Sequence, residues 1–217
     1  MDEEDWDRTY EAIDFLQRAG TDDQPFMLYL TTSLVHPPFD AHQQYMDRID
    51  GEDIRIPPTL GGMDAVEHPV DEYTRIIKNC DRRFDPDLVR HVRHVYFAMI
   101  AALNDMVGRV LRELRRMGLD ESTYVIFSSD HGEMAGEQNQ LLKRTMYEPA
   151  VHEPLIIAGP DVAEGHVVDA PVSHIDIYPT LMDMARCDYE DDIAGPNYPD
   201  RLDGESLMPQ LEGDSRR

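Results

Sequence analysis

The order of apolar segments predicts an α/β domain with a mainly parallel sheet flanked by helices. Two observations carry that expectation. Short apolar runs, "PFMLYLTTSLVH" (25–36), "STYVIFSS" (122–129) and "EPLIIAG" (153–159), have the length and bounding turn residues of buried strands. Between the first and second runs, Val92, Tyr96, Met99, Leu103, Met106, Val110, Leu114 and Met117 keep a helical stripe going. Helix, strand, long helix, strand, strand, helix is the resulting order, with no internal repeat.

Each element has its own signal. Residues 6–19 read as an amphipathic helix, with Trp6, Tyr10, Ile13 and Leu16 or Gln17 at helical spacing and Gly20 as its stop. Run 25–36 reads as a buried strand ending in "HPPF", where two prolines force an extended loop. Residues 40–80, rich in Asp, Pro and Gly, read as a long irregular loop. Asp85 before Pro86 opens the long helix as an N-cap followed by proline in the first turn, and Gly118 closes it. Ser173 caps a helix through "HIDIYPTLMDMA", with Asp176 at the capping-box position and Pro179 as a kink.

Composition bounds the partners. The chain has 217 residues, 41% of them apolar, enough for one domain with a real core. Against 20 basic residues stand 44 acidic ones, a formal charge of −24. Such a surface repels nucleic acid and anionic lipid, which leaves no nucleic acid and no membrane among the expected partners. Any anion site must therefore be locally cationic. The acidic residues are spread along the chain, and the only lysines are Lys78 and Lys143. That pattern points to adaptation to high salt, where screening relieves self-repulsion. No apolar stretch is long enough to span a bilayer, and the acidic "MDEED" start lacks a secretory pattern. A cytoplasmic location follows if Met1 is the true start; otherwise the compartment is open. Cys80 and Cys187 form neither a disulfide framework nor a metal cluster.

Chemistry concentrates in "SSDHGEMAGEQNQLLKRTMYE" (128–148). In parallel α/β sheets ligands collect at the carboxyl ends of strands. Run 25–36 ends at His36, and run 122–129 ends at Asp130-His131-Gly132. Asp130 offers a hard carboxylate and His131 an imidazole, both able to bind a divalent cation. Gly132 gives room for a tight turn. Lys143 supplies a point charge for a tetrahedral oxyanion, and His36 a proton for a leaving alkoxide or a contact to the same anion. Together they suit hydrolysis of an anionic ester. Asp-His-Gly also serves as a plain turn, a histidine before prolines as a loop residue, and a lone lysine as a solvated charge. Tyr147 and Glu148 read as packing and capping residues. Spacing alone leaves both readings open.

The motif "VIFSSDHGEMAGE", followed by "KRTMYE" and "EPLIIAGP", resembles the C-terminal part of the sulfatase catalytic domain, within the alkaline-phosphatase-like superfamily. "FMLYLTTSLVHPPF" resembles the family's preceding strand and histidine loop, and "SHIDIYPTLMDMA" its following helix. "HPVDEYTRIIKNC" and the 128–148 motif are similar to the arylsulfatase K branch. The resemblance implies that residues 1–217 are a single partial sulfatase catalytic domain, acting on sulfate esters and on a sulfated uronic acid of a glycan. It implies a divalent ion, calcium with magnesium or manganese as alternatives, bound by Asp130 and His131. Related members carry Asn where His131 stands, so a transition metal is also open. Lys143 and His36 are implied as the catalytic, sulfate-contacting residues. The family's Cys-x-Pro-x-Arg motif, source of the formylglycine nucleophile, has no counterpart: Cys80 stands in "CDRRF" and Cys187 in "CDYED". The chain alone is therefore expected to be silent, with a complementing chain carrying the nucleophile as a possible partner. A phosphodiesterase or phosphonate hydrolase of the same superfamily, or a non-enzymatic binding fragment, are the alternatives.

Overall fold

The computed structural model describes residues 3–22, 24–64, 68–187 and 202–213. The chain divides into two compact units, Met1–Leu119 with Ser128–Pro154, and Asp120–Phe127 with Leu155–Arg217.

The first unit is organised by one long helix. Its elements are α1 (Glu3–Ala19), α2 (Gln43–Met46), α3 (Pro69–Ile77), α4 (Pro86–Arg116) and α5 (Glu148–Val151). The Asp85 carboxylate accepts from the Asp87 and Leu88 amides at 2.8 and 3.4 Å, satisfying donors that a helix start leaves without partners. At the other end Gly118 takes φ +70°, its amide bonding Arg115 O while the Leu119 amide bonds Leu114 O. This is a Schellman closure, which needs the left-handed backbone that glycine adopts without strain.

α4 buries Val89, Ala98, Met99, Ala102, Met106 and Leu114. Three residues of the expected stripe are among these, joined by two alanines and Val89. The stripe is wide because both α1 and α2 pack on α4, and small Ala98 and Ala102 let neighbours come close. Tyr45 and Leu34 complete that core. α4 also reaches neighbouring backbone carbonyls by polar side chains. Arg90 donates to Ile54 O, Arg93 to Ala135 O, and His94 to Met46 O and Ile49 O.

α1 buries Asp5, Thr9, Ala12 and Leu16, whereas Tyr10 is exposed. The helix is the expected one, but its inner face is rotated from the predicted stripe. The cause is polar: Asp5 is fully buried, and its carboxylate accepts from the Ser33 and Leu34 amides at 2.8 and 2.9 Å. Gly20 closes α1 beside α4, where a Cβ would stand 2.4 Å from Met117 Cε.

Two expectations change in this unit. Residues 25–33 form no strand ladder; they alternate between half-buried and exposed, with Met27 and Tyr29 outward. The two-residue period of a strand is there, but no described strand pairs with it, so the run is not buried. The 40–80 region is not a continuous loop. It contains α2, α3 and 3-10 turns at Gly51–Asp53 and Pro58–Asp64. Local caps make these elements: Asp50 accepts from the Glu52 amide, and His68 from the Val70 amide ahead of Pro69.

The second unit is built on β1 (Val125–Ser128), paired with β2 (Leu155–Ala158) in a two-stranded sheet. Both are shorter than the runs that predict them. β1 is half-buried throughout, and β2 alternates with Ile156 outward, so neither is the fully buried strand expected. Ser173 and Asp176 form the predicted capping box, and a 3-10 turn at His174–Asp176 leads into α6 (Ile177–Ala185). Pro179 does not kink α6. It sits in the first turn, where its missing N–H would have had no helical partner. α7 (Met208–Leu211) is preceded by a segment held to α6, with the Leu207 amide donating to Thr180 Oγ1 at 2.9 Å and the Glu205 amide to Asp176 Oδ1 at 2.9 Å. Among the described residues no helix is long and apolar enough to cross a membrane.

Candidate active site

Asp130 and His131 follow β1 directly. The imidazole Nδ1 lies 2.9 Å from Gly132 O, and a carbonyl can only accept, so Nδ1 carries the proton. The other ring nitrogen, Nε2, stands 3.5 Å from Asp130 Oδ2. A second-partner bond of this kind fixes the tautomer and ring orientation that a metal-ligating histidine needs. Two donors bound at about 2.0–2.4 Å to one cation lie roughly 3 Å apart, close to the spacing seen. The Asp130 side chain is 86% exposed, so it faces solvent and not a sealed cavity.

Gly132 holds this turn against the chain that follows. Its amide donates to Ala150 O at 3.0 Å, and a Cβ would sit 2.0 Å from Pro149 O. The glycine is thus required for close backbone-to-backbone approach, whereas the expectation was room for a tight turn. Tyr147 is half-buried at the N-cap position of α5, and Glu148, exposed in its first turn, lies 3.2 Å from the equally exposed His152.

The segment from the pair to the residue after Lys143 has an unusual backbone. Ala135, Gln138, Asn139, Leu142 and Arg144 all have positive φ. Non-glycine residues reach that region at a cost of about 1–2 kcal/mol each, so the surroundings must hold them there. Buried anchors do so. Met134, Asn139 and Gln140 are fully enclosed. Asn139 Oδ1 accepts from the Phe84 amide, while Nδ2 donates to Cys80 O and Arg82 O. Glu133 Oε1 accepts from the Ala135 amide at 3.0 Å and from the Leu142 amide at 2.6 Å, closing the loop on itself. Gln138 N donates to Thr59 Oγ1, which in turn donates to Glu137.

Lys143 is half-buried at the end of this loop. His36 is exposed in the turn that follows Leu34; its amide bonds Ser33 O and its Nδ1 donates to Pro37 O at 2.7 Å. Asp5 fixes that turn from α1 through the Ser33 and Leu34 amides. The structure thus brings Asp130 and His131 into contact. His36 and Lys143 stand on separate segments, and no hydrogen bond or ion pair among the described residues links either to the pair. Sequence reasoning missed Asp5, Glu133, Asn139 and Lys78, each of which acts through a contact distant in sequence or on the backbone. The one usable signal was the rarity of lysine, which applies to Lys78 as much as to Lys143.

Among the described residues no group of three or more His, Cys, Asp or Glu gathers at one point. One nitrogen and one carboxylate are a fitting part of a divalent-ion site. They do not complete the sphere of calcium, which takes about six to eight oxygens. Both cysteines are free thiols, Cys80 buried and Cys187 exposed.

Solved structures define the class. The phosphonate monoester hydrolase of Silicibacter pomeroyi superposes with a TM-score of 0.77 at 29% identity, over 96% of this chain and 42% of that one. A protein solved with its substrate D-glucosamine-2-N,6-O-disulfate superposes with a TM-score of 0.78 at 19% identity, over 97% of this chain and 52% of that one. The fold is that of part of an alkaline-phosphatase-like α/β domain.

Within that class, the family model for sulfatases matches residues 3–187, and the chain belongs to the sulfatase family. It is similar to arylsulfatase K of Bos taurus, 36% identical over 221 residues, covering 94% of this chain and 38% of the relative. Arylsulfatase K of Homo sapiens is 35% identical over 223 residues, covering 95% of this chain and 39% of the relative. The chain thus spans about two fifths of the length of these curated relatives.

Proposed function

We propose that this chain supplies one half of the active site of a metal-dependent hydrolase of sulfate esters, with a sulfated glycan as substrate. The observation that carries this is the oriented pair: His131 Nε2 turned to within 3.5 Å of Asp130 Oδ2 by the Nδ1 bond to Gly132 O, in a chain of the sulfatase family. In this reading Asp130 and His131 are two ligands of a divalent ion, calcium above magnesium or manganese. When bound, the ion supplies Lewis-acid charge that draws electron density from a sulfate oxygen. The Lys143 ammonium neutralises the oxyanion, which the −24 charge of the chain would otherwise repel. His36 hydrogen-bonds the ester oxygen and protonates the leaving alkoxide. The glycan is suggested by the likeness to arylsulfatase K and by the disulfated glucosamine bound to the structural neighbour.

Covalent catalysis needs a nucleophile, and neither cysteine stands in a Cys-x-Pro-x-Arg motif. The remaining ligands and the formylglycine come, in this proposal, from a polypeptide equivalent to the portion of the relatives that this chain does not match. The purified chain is expected to show no turnover of an aryl sulfate in calcium, magnesium or manganese. Adding or fusing a polypeptide with formylglycine in Cys-x-Pro-x-Arg should give metal-dependent turnover that Asp130→Ala abolishes. Turnover by the chain alone, or a reconstituted activity indifferent to Asp130→Ala, would falsify the proposal. A second reading has the phosphonate monoester hydrolase likeness in its favour. It predicts that the same reconstituted enzyme prefers an aryl phosphonate monoester to the aryl sulfate.

A further inference from the structure

Lys143 is flanked by two residues in the left-handed region, Leu142 at φ +67° and Arg144 at φ +76°. A backbone that reverses on both sides of one residue sets the direction of its side chain only if something holds the reversals. The other lysine of the chain is placed to do so. Lys78 Nζ donates to Leu141 O at 3.2 Å and also to Lys143 O. Two carbonyls spanning Leu142 are thus gathered on one ammonium.

The direction of Lys78 is itself fixed. It is the C-cap of α3, followed by Asn79 at φ +57°, whose amide bonds Ile76 O while the Cys80 amide bonds Arg75 O. Beyond the helix end, Asn139 Nδ2 ties Cys80 O to the same loop. On its far side, Asp71 of α3 accepts from Thr145 Oγ1 at 2.9 Å. From within the loop, Glu133 takes the Leu142 amide. Burial lowers the ammonium pKa of Lys78 from the ordinary lysine value, against the opposing effect of Cys80, Glu133 and Asp71 nearby. This is the mark of a charge drawn partly out of water, in contrast to a solvated surface lysine.

We infer that Lys78 is the positioning residue of Lys143: its ammonium clasps the Leu141 and Lys143 carbonyls and fixes the backbone from which the Lys143 side chain leaves. The role of that side chain rests on the function proposed above; the clasp does not. Lys78 touches no substrate in this arrangement and acts only through the loop.

The scarcity of lysine makes the test direct. Protein labelled with 15N-lysine gives two backbone amide signals, and in Lys78→Met or Lys78→Arg the one that remains is Lys143. In Lys78→Met the Lys143 signal should shift and broaden or split. Exchange of the Leu142 and Met134 amides, which bond within the loop, should quicken by about tenfold while α4 amides stay as in wild type. Lys78→Arg keeps donors for both carbonyls and should return the signal and the protection towards wild type. The inference is overturned if the Lys143 signal in Lys78→Met superimposes on wild type. It is equally overturned if arginine does not rescue, or if protection is lost throughout the unit, which would make Lys78 a general stability residue. No activity is read, so failure of the sulfatase proposal in its own assay leaves this result standing, and the reverse.

Discussion

The Asp130–His131–Gly132 turn shows how three adjacent residues divide a task. Asp130 is exposed, His131 is oriented by a carbonyl, and Gly132 allows the chain after it to pass at contact distance. Replacing Gly132 by alanine would push a Cβ to 2.0 Å from Pro149 O, a backbone atom that cannot swing aside. The expected loss is about 3 kcal/mol, seen as a lower urea midpoint with an unchanged slope. A midpoint within error of wild type would show that the 132–150 contact is not formed. The neighbouring residues were legible because the motif is contiguous and its chemistry is intrinsic to the side chains. Lys78 was not, because its partners lie 63 and 65 positions away and are carbonyl oxygens, which no side-chain pattern displays. Asp5 was hidden for the same reason, and it displaced the predicted inner face of α1 by taking a core position for a carboxylate.

Elements were legible in proportion to how local their causes are. Helix caps act within a few residues, so Asp85, Gly118, Ser173 and Asp176 marked real boundaries. Replacing Asp85 by alanine removes an acceptor for two first-turn amides of α4 and should lower stability by about 1 kcal/mol. Thermal unfolding followed by circular dichroism reads this, and Asp85→Ser should recover most of it. An unaltered midpoint in Asp85→Ala would mean that α4 is held by packing alone. Strands depend on partners far along the chain. Run 25–36 had the composition of a buried strand, yet its placement is decided by a ladder that composition does not encode. The 40–80 region erred in the other direction. Its Asp and Pro content suggested loop, although the same residues are the caps and first-turn prolines of short helices.

At the scale of the whole chain, charge is the dominant quantity. With −24 distributed over both units, compactness is opposed by repulsion that salt screens over a shorter distance as its concentration rises, from about 10 Å at 0.1 M to about 3 Å at 1 M. The melting temperature should therefore climb as potassium chloride goes from millimolar to molar, and by a larger increment than for a near-neutral protein of equal size. A flat or falling profile would remove the case for high-salt adaptation. This inference was available from composition, since it needs no knowledge of where any residue sits. The fold class was equally accessible, through the order of elements and the sulfatase-like motifs that the family match bears out.

One helix is built in reverse. α3 turns Thr74 and Arg75 inward and sets Val70, Tyr73, Ile76 and Ile77 outward, where all four are exposed. Ions that quiet the carboxylates also make water a poorer host for such a greasy flank, most strongly when they are of the sulfate type. Salt at the concentrations expected to steady the fold should therefore also favour association of molecules along this flank. Dispersal of the isolated chain is consequently expected to peak at an intermediate ionic strength, bounded below by unfolding and above by clumping.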